Sequence, residues 1–227
     1  MTSRPLPAAG VLVLVAILGA VPGAQPRGTT YTFDADPAGK APSGFVLAAF
    51  RQDGPGTWTI ARVANKGLLG SLNHLVEPAR TGWSLAIAPG SPTRDVLVSA
   101  RIRLAGGARA GGIVWRYQDA DNFDAVLLDL TRREIAAYRV VAGNRITSDV
   151  EDDLELDVDA WHTVKIEQDG SEIDVSLGGI HVLRDRDRRD NRPREGLVGV
   201  VATGSSEVWF DDLRIEPRQA SNARSPR

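Results

Sequence analysis

The chain has 227 residues, no cysteine, 27 basic against 29 acidic side chains, and 42% hydrophobic residues. Without Cys, a disulfide framework, a cysteine-ligated zinc or iron–sulfur centre and a thiol nucleophile are all excluded. A formal charge of −2 argues against the basic footprint that nucleic acid requires, and the apolar content excludes a wholly disordered chain.

Residues 1–24 carry Arg4, then an uncharged and mostly apolar run over 8–21, then Pro22-Gly23-Ala24. This is the layout of a signal peptide, which predicts an exported protein, periplasmic or extracellular. The run is too short to cross a bilayer, which takes about 20 residues, and no transmembrane segment is expected in the mature chain. Residues 28–217 have the length of one domain, and 218–227 follow Pro217 with no apolar period, as a disordered tail does. An exported domain without disulfides depends on a well-packed core. Arg outnumbers Lys 24 to 3, which reads as coding bias in a GC-rich bacterial genome, not as chemistry.

Within 28–217 the apolar residues recur with period two. Val96, Val98, Ala100, Ile102 and Leu104 share one parity. Val164 and Ile166 do the same, with His162 in their row, as do Ile173, Val175 and Leu177. Such alternation predicts half-buried antiparallel strands. Leu197 to Ala202 is apolar on both faces and is expected mid-sheet. Turn residues at Asp53–Gly56, Gly106-Gly107, Asp119–Asn122, Gly143-Asn144, Asp169-Gly170 and Gly178-Gly179 divide the strands, with a tight hairpin turn expected at Asp169-Gly170. The parity of Val208 and Phe210 is opposite to that of Leu213 and Ile215, which predicts a β-bulge at Asp211-Asp212. Some 13 to 15 strands follow, best housed in an all-β, antiparallel two-sheet β-sandwich of the jelly-roll type.

Four groups of residues bear on chemistry. Glu151, Asp153 and Glu155 would put three carboxylates on one face of a strand, as a retaining glycosidase requires of two. The preferred reading makes them a solvated face, with Leu154, Leu156 and Val158 pointing inward. Asp119, Asp121 and Asp124 offer oxygen ligands for Ca²⁺, although Asp is also an ordinary turn former. Asp185, Asp187 and Asp190 alternate with arginines in a self-neutralising loop. Finally, Trp115 and Tyr117 share a face by alternation, with Arg116 on the other. A two-residue turn at Ala120-Asp121 would set Tyr117 opposite Asp124, with Tyr138 on a nearby strand. Trp115, Trp58, Trp161 and Trp209 are expected in the core. Arg116, Asp124 and Tyr138 are expected at the surface, and together with Tyr117 they form the candidate ligand-binding set. His74, His162 and His181 are too dispersed for a zinc hydrolase.

Gly112-Ile113-Val114-Trp115-Arg116-Tyr117-Gln118-Asp119-Ala120-Asp121-Asn122-Phe123, Trp161-His162-Thr163-Val164-Lys165-Ile166-Glu167, Gly196–Val200 and Phe210–Ile215 together resemble concanavalin A-like, laminin-G-like jelly rolls. They resemble most the bacterial secreted 3-keto-disaccharide hydrolase (glycoside hydrolase family 16-like) domains. The resemblance spans about residues 31–216 and implies a saccharide partner. Three functions are therefore expected, in this order. The first is an exported, non-catalytic carbohydrate-recognition domain. The second is a hydrolase or lyase of 3-keto-glycosides or other glycosidic bonds, with Asp124 and Glu155 as catalytic candidates. The third is a structural or protein-interaction module of the envelope. No cofactor is expected unless Asp119 and Asp121 bind Ca²⁺.

Overall fold

In a computed structural model, residues 28–51, 54–64, 71–77, 80–105, 110–186, 195–204 and 207–218 are described. The predicted leader, the tail beyond Arg218, the turn at Gly106-Gly107 and the Asp/Arg segment from Asp187 to Arg194 lie outside them. The described residues form fifteen strands. These are β1 (Thr29–Tyr31), β2 (Val46–Phe50), β3 (Thr59–Ala64), β4 (Ser71–Glu77), β5 (Arg80–Ile87), β6 (Asp95–Leu104), β7 (Ala110–Asp119) and β8 (Asn122–Asp129). They continue with β9 (Glu134–Val141), β10 (Asn144–Glu151), β11 (Trp161–Asp169), β12 (Glu172–Leu177), β13 (Ile180–Arg186), β14 (Leu197–Gly204) and β15 (Val208–Arg218).

The strands build two antiparallel sheets. One, sheet A, runs β13-β12-β11-β6-β15-β4-β3, with β1 added alongside β15; the other, sheet B, runs β10-β9-β8-β7-β14-β5-β2. The alternating residues of β6 and β11 point between the sheets. Val96, Val98, Ala100, Ile102, Leu104, Val164 and Ile166 form one buried cluster with Ile113, Trp115, Val126, Leu128, Ile135 and Ala137 of sheet B. The predicted two-sheet sandwich is thus present, and β14 lies inside sheet B between β7 and β5, as its two apolar faces required.

Local chemistry sets the turns. Gly178 and Gly179 both have positive φ (59° and 87°), as do Ala142 and Gly143 (47° and 73°), matching the twist of tight hairpins. The β11–β12 turn is displaced by one residue from its predicted place. Asp169 pairs with Glu172, so the turn residues are Gly170 and Ser171, with φ +57° at Gly170. The bulge predicted at Asp211-Asp212 is present: the register of β15 on β6 shifts after Asp211, and Asp212 has φ 49°.

Sheet B is strongly curled. Phe50 on β2 and Phe123 on β8 are four strand positions apart, about 19 Å in a flat sheet. Their ring centroids are nevertheless 5.7 Å apart. Arg51, just past β2, donates from Nη2 to the Gly143 carbonyl in the β9–β10 turn at 3.2 Å, tying opposite edges of the sheet together.

Three expectations fail here. Residues 152–160 are irregular, with left-handed Asp153 and Asp159 (φ 55° and 61°), so Glu151, Asp153 and Glu155 do not line one face of a strand. Leu154 and Leu156 do pack on the core, but Val158 is 64% exposed. Trp161 and Trp209 are not core residues. They pair in register with Arg103 on the outer face of sheet A, because His162, Val164, Val208 and Phe210 take the inward parity.

Candidate functional site

The strand β7 begins as a regular ladder against β8, with Trp115 paired to Asp124. The register then breaks, and Arg116 adopts φ 51°. Gly196 makes room for this kink: a Cβ there would stand 2.2 Å from the Arg116 carbonyl carbon. The bulge turns two consecutive side chains, Trp115 and Arg116, toward the space between the sheets. Trp115 donates from Nε1 to Gln168 Oε1 at 3.0 Å, reaching across to sheet A. Arg116 donates from Nη2 to the Gly170 carbonyl at 2.6 Å, and its Nη1 lies 3.5 Å from Asp124 Oδ2. Gln168 also donates to the Gly170 carbonyl, and Asp95 accepts the Gly170 N–H at 2.7 Å. The β11–β12 turn is therefore clamped by side chains from β7, β6 and β11.

Arg139 completes the cluster, with Nε 3.4 Å from Asp124 Oδ1. It shares the inward parity of Ile135 and Ala137. Two guanidinium groups thus share one buried carboxylate, and Arg139 continues outward into a cleft of about 610 Å³ at the open edge of the sandwich. This cleft lies between β9–β10 of one sheet and β12–β13 of the other. It is lined by Arg139, Ile146, Thr147, Ser148, Glu172, Arg184, Asp185 and Arg186. Asp185 shares the inward parity of Leu183. Its Oδ1 accepts the Arg186 N–H at 2.7 Å, whereas its Oδ2 is buried and receives no hydrogen bond. The neighbouring charges are occupied: Arg184 with Asp174 at 2.6 Å, and Arg186 with Glu172 at 3.6 Å.

The candidate ligand set divides in two. Arg116 and Asp124 are buried between the sheets, at 3% and 1% exposure, which corrects their expected place at the surface. The cause is the bulge, which also pairs Asp124 with Trp115 in place of Tyr117, although the turn at Ala120-Asp121 is the predicted one. Tyr117 and Tyr138 face the other way, onto the concave side of sheet B. There they pack against a second buried cluster containing Phe50, Trp83, Leu85, Val114, Phe123 and Val201. Tyr138 meets Trp83 edge-on at 5.3 Å, and the Arg145 guanidinium lies over both rings. Burial raises the pKa of both tyrosines, helped at Tyr117 by the charge of Asp119. Among the described residues, the concave face is thus packed with its own aromatic and aliphatic side chains. Its tyrosines lie on the opposite face of the sheet from Arg116 and Asp124.

The remaining candidates sit apart. Glu155 is exposed in the irregular segment, which docks on the β8–β9 turn through reciprocal hydrogen bonds between Arg133 and Leu154. Asp119 accepts from the Asp121 N–H at 2.8 Å and from the Asn122 side chain at 2.9 Å, the local bonding of a turn-forming aspartate. Among the described residues no three His, Asp or Glu side chains converge as metal ligands. His162 is partly buried and contacts the Asp157 carbonyl through Nε2 at 2.9 Å.

Arg139 escaped the sequence reading, and Asp185, expected in a self-neutralising loop, lies instead on the strand β13, although each gives a signal. Both are charges on the inward parity of a strand, where an alternating pattern calls for an apolar residue.

The described architecture defines the class: an antiparallel jelly roll of the concanavalin A-like kind. No family model and no curated protein matches the chain. Solved structures do. Carbohydrate binding module CBM66 from Bacillus subtilis aligns with a TM-score of 0.56 at 18% identity, over 74% of this chain and 99% of that one. Domain 4 of AbnA, a GH43 extracellular arabinanase from Geobacillus stearothermophilus solved with arabinotriose, aligns with 0.55 at 13% identity, over 85% and 92%. A Bacillus subtilis protein of galectin-like fold gives 0.55 at 10% identity, over 78% and 91%.

Proposed function

We propose that this chain is an exported, non-catalytic carbohydrate-recognition domain that binds a saccharide in the cleft between β9–β10 and β12–β13. The observation carrying this reading is the buried, donor-less Asp185 Oδ2 in the same cleft as Arg139. A buried acceptor without a donor is costly, and a ligand that supplies one recovers that cost. A saccharide hydroxyl is donor and acceptor at once, so one hydroxyl can donate to Asp185 while its neighbours meet Thr147 and Ser148 in the same cleft. The fold likeness to a carbohydrate binding module and to a domain solved with arabinotriose supports the same reading, and residues 1–24 support export.

Two features favour binding over hydrolysis. Asp124 is held by two arginines, and Glu155 stands exposed on a separate segment, so the two are not poised as acid and nucleophile. Glu172, in the cleft, is exposed and faces Arg186.

The test is calorimetric titration of the exported product, its N-terminus first read to confirm cleavage after Gly23 or Ala24, against a panel of α-glucans, β-glucans, arabinans and fructans. At least one is expected to bind, and Asp185→Asn to weaken it tenfold or more with little change in melting temperature. Silence across the panel sinks the reading, and turnover of a 3-keto-glucoside by the intact protein replaces it with the hydrolase.

A further inference from the structure

A second surface stands apart from the cleft, on the outer face of sheet A. Trp161 on β11 is directly opposite Arg103 on β6, and Arg103 is opposite Trp209 on β15. One arginine therefore lies between two indoles on three adjacent strands. The two tryptophan backbones are two strand spacings apart, about 9.6 Å. All three side chains are partly exposed. The Arg103 guanidinium lies 5.5 Å from the Trp209 ring centre, and that of Arg101 lies 4.8 Å from the Trp161 ring centre.

The cations of this face are not equivalent. Arg101 is paired with Asp212 at 3.3 Å and Asp211 at 3.7 Å. Lys165 and Arg218 are both paired with Glu167, at 2.6 and 3.2 Å, and Arg214 is paired with Glu216. Among the described residues of β6, β11 and β15, Arg103 is the arginine or lysine without a carboxylate, and its Nε is buried with no hydrogen-bond acceptor. A guanidinium stacked on an indole keeps its planar fork of donors fixed, which favours two-point contact with a carboxylate.

We propose that the row Trp161–Arg103–Trp209 is a binding platform for an acidic saccharide, one carrying a uronate carboxylate. The ligand's C–H face packs on the indole and guanidinium layer, and the carboxylate accepts from Arg103. Asp211 and Asp212 repel an anion on their side of Arg101, so the sugar chain runs along the row, across the strands. The platform shares no residue with the cleft and stands or falls independently of it.

The test uses the full chain and two probes, a galacturonate hexamer and its fully methyl-esterified form, titrated at low and at 0.5 M salt (about a 4 Å Debye length). The acid form is expected to bind at least tenfold more tightly than the ester, and less tightly at high salt. Arg103→Gln should lower acid-form affinity tenfold or more, Arg103→Lys should recover part of it, and Asp185→Asn should leave it unchanged. Equal binding of acid and ester, an unaffected Arg103→Gln variant, or no binding of the acid form each overturns the proposal. Loss of binding on Asp185→Asn alone assigns the acid to the cleft, overturning the platform while the cleft reading survives.

Discussion

The two sheets use their second faces in opposite ways. Sheet B buries both: its concave side closes over Leu85, Val114 and Val201, each at 0% exposure, beneath the rings of Phe50, Trp83 and Phe123. Sheet A buries only its inner face, and its outer face presents indoles, guanidinium groups and ion pairs. The groove that curvature creates in sheet B is consumed by packing. The two sites proposed above lie instead at the open edge and on the outer face of sheet A. Likeness of fold therefore does not locate a site: a concave sheet becomes a groove only where its side chains leave space.

The contrast can be broken most directly by truncating one aromatic in each region. Phe123→Ala removes a fully buried ring shared by Phe50, Trp83 and Tyr117, and is expected to cost about 4 kcal/mol of unfolding free energy. Trp209→Ala, on the half-exposed outer face, should cost about 1 kcal/mol. Urea denaturation of both variants gives the comparison, and equal losses would dissolve it.

The boundary between the regions is probed by Asp124→Asn. Removing this carboxylate leaves Arg116 and Arg139 facing each other in a buried site, and should cost about 3 kcal/mol, again by urea denaturation. A loss below about 0.5 kcal/mol, the size of an ordinary surface substitution, would mean that the clamp on the β11–β12 turn does not depend on the ion pair.

The smallest effect separates buried from solvated charge by pH. The Glu167 carboxyl is held below its usual pKa by the hydrogen bond from Lys165, against the opposing effect of burial. At Asp174 burial raises the pKa, but hydrogen bonds from Arg184 and His181 outweigh it, and the net shift is downward. A depressed carboxylate stabilises the fold above its unfolded pKa, near 4, and that contribution is lost as the pH falls through the lower folded value. Both groups are about a third exposed, so each contributes only a few tenths of a kcal/mol. Thermal melts from pH 6 to pH 2 should show this loss in the wild type. Lys165→Met should remove the larger share of the Glu167 part, leaving the share due to Arg218.

Much of the sandwich was readable because period-two alternation survives wherever one face is buried. The bulge at Asp211-Asp212 was readable for the same reason, since apolar residues on both sides of it reveal the change of phase. The bulge at Arg116 was not. Beyond it stand Tyr117, Gln118 and Asp119, and a tyrosine fits either face, so no apolar row records the slip. That one hidden residue moved Tyr117 to the concave side and brought Arg116 inside, which scattered the expected ligand set. The strand read through 152–160 failed because alternating Leu and Asp suit an extended pattern, while left-handed Asp153 and Asp159 bend the chain away from any ladder. The irregular path still lets Leu154 and Leu156 reach the core, so burial alone did not require a strand.

The position of the cleft has a further consequence. Among the described residues, it opens where β10 ends one sheet and β13 ends the other, so its walls are the edge strands of both. Exposed edges recruit strands from other molecules unless charge discourages them. Arg184, Asp185 and Arg186 on β13, with Arg145 and Asp149 on β10, keep such edges soluble. Substitutions that make the cleft more apolar therefore remove the protection against strand addition, and self-association at high protein concentration is the expected cost of such a redesign.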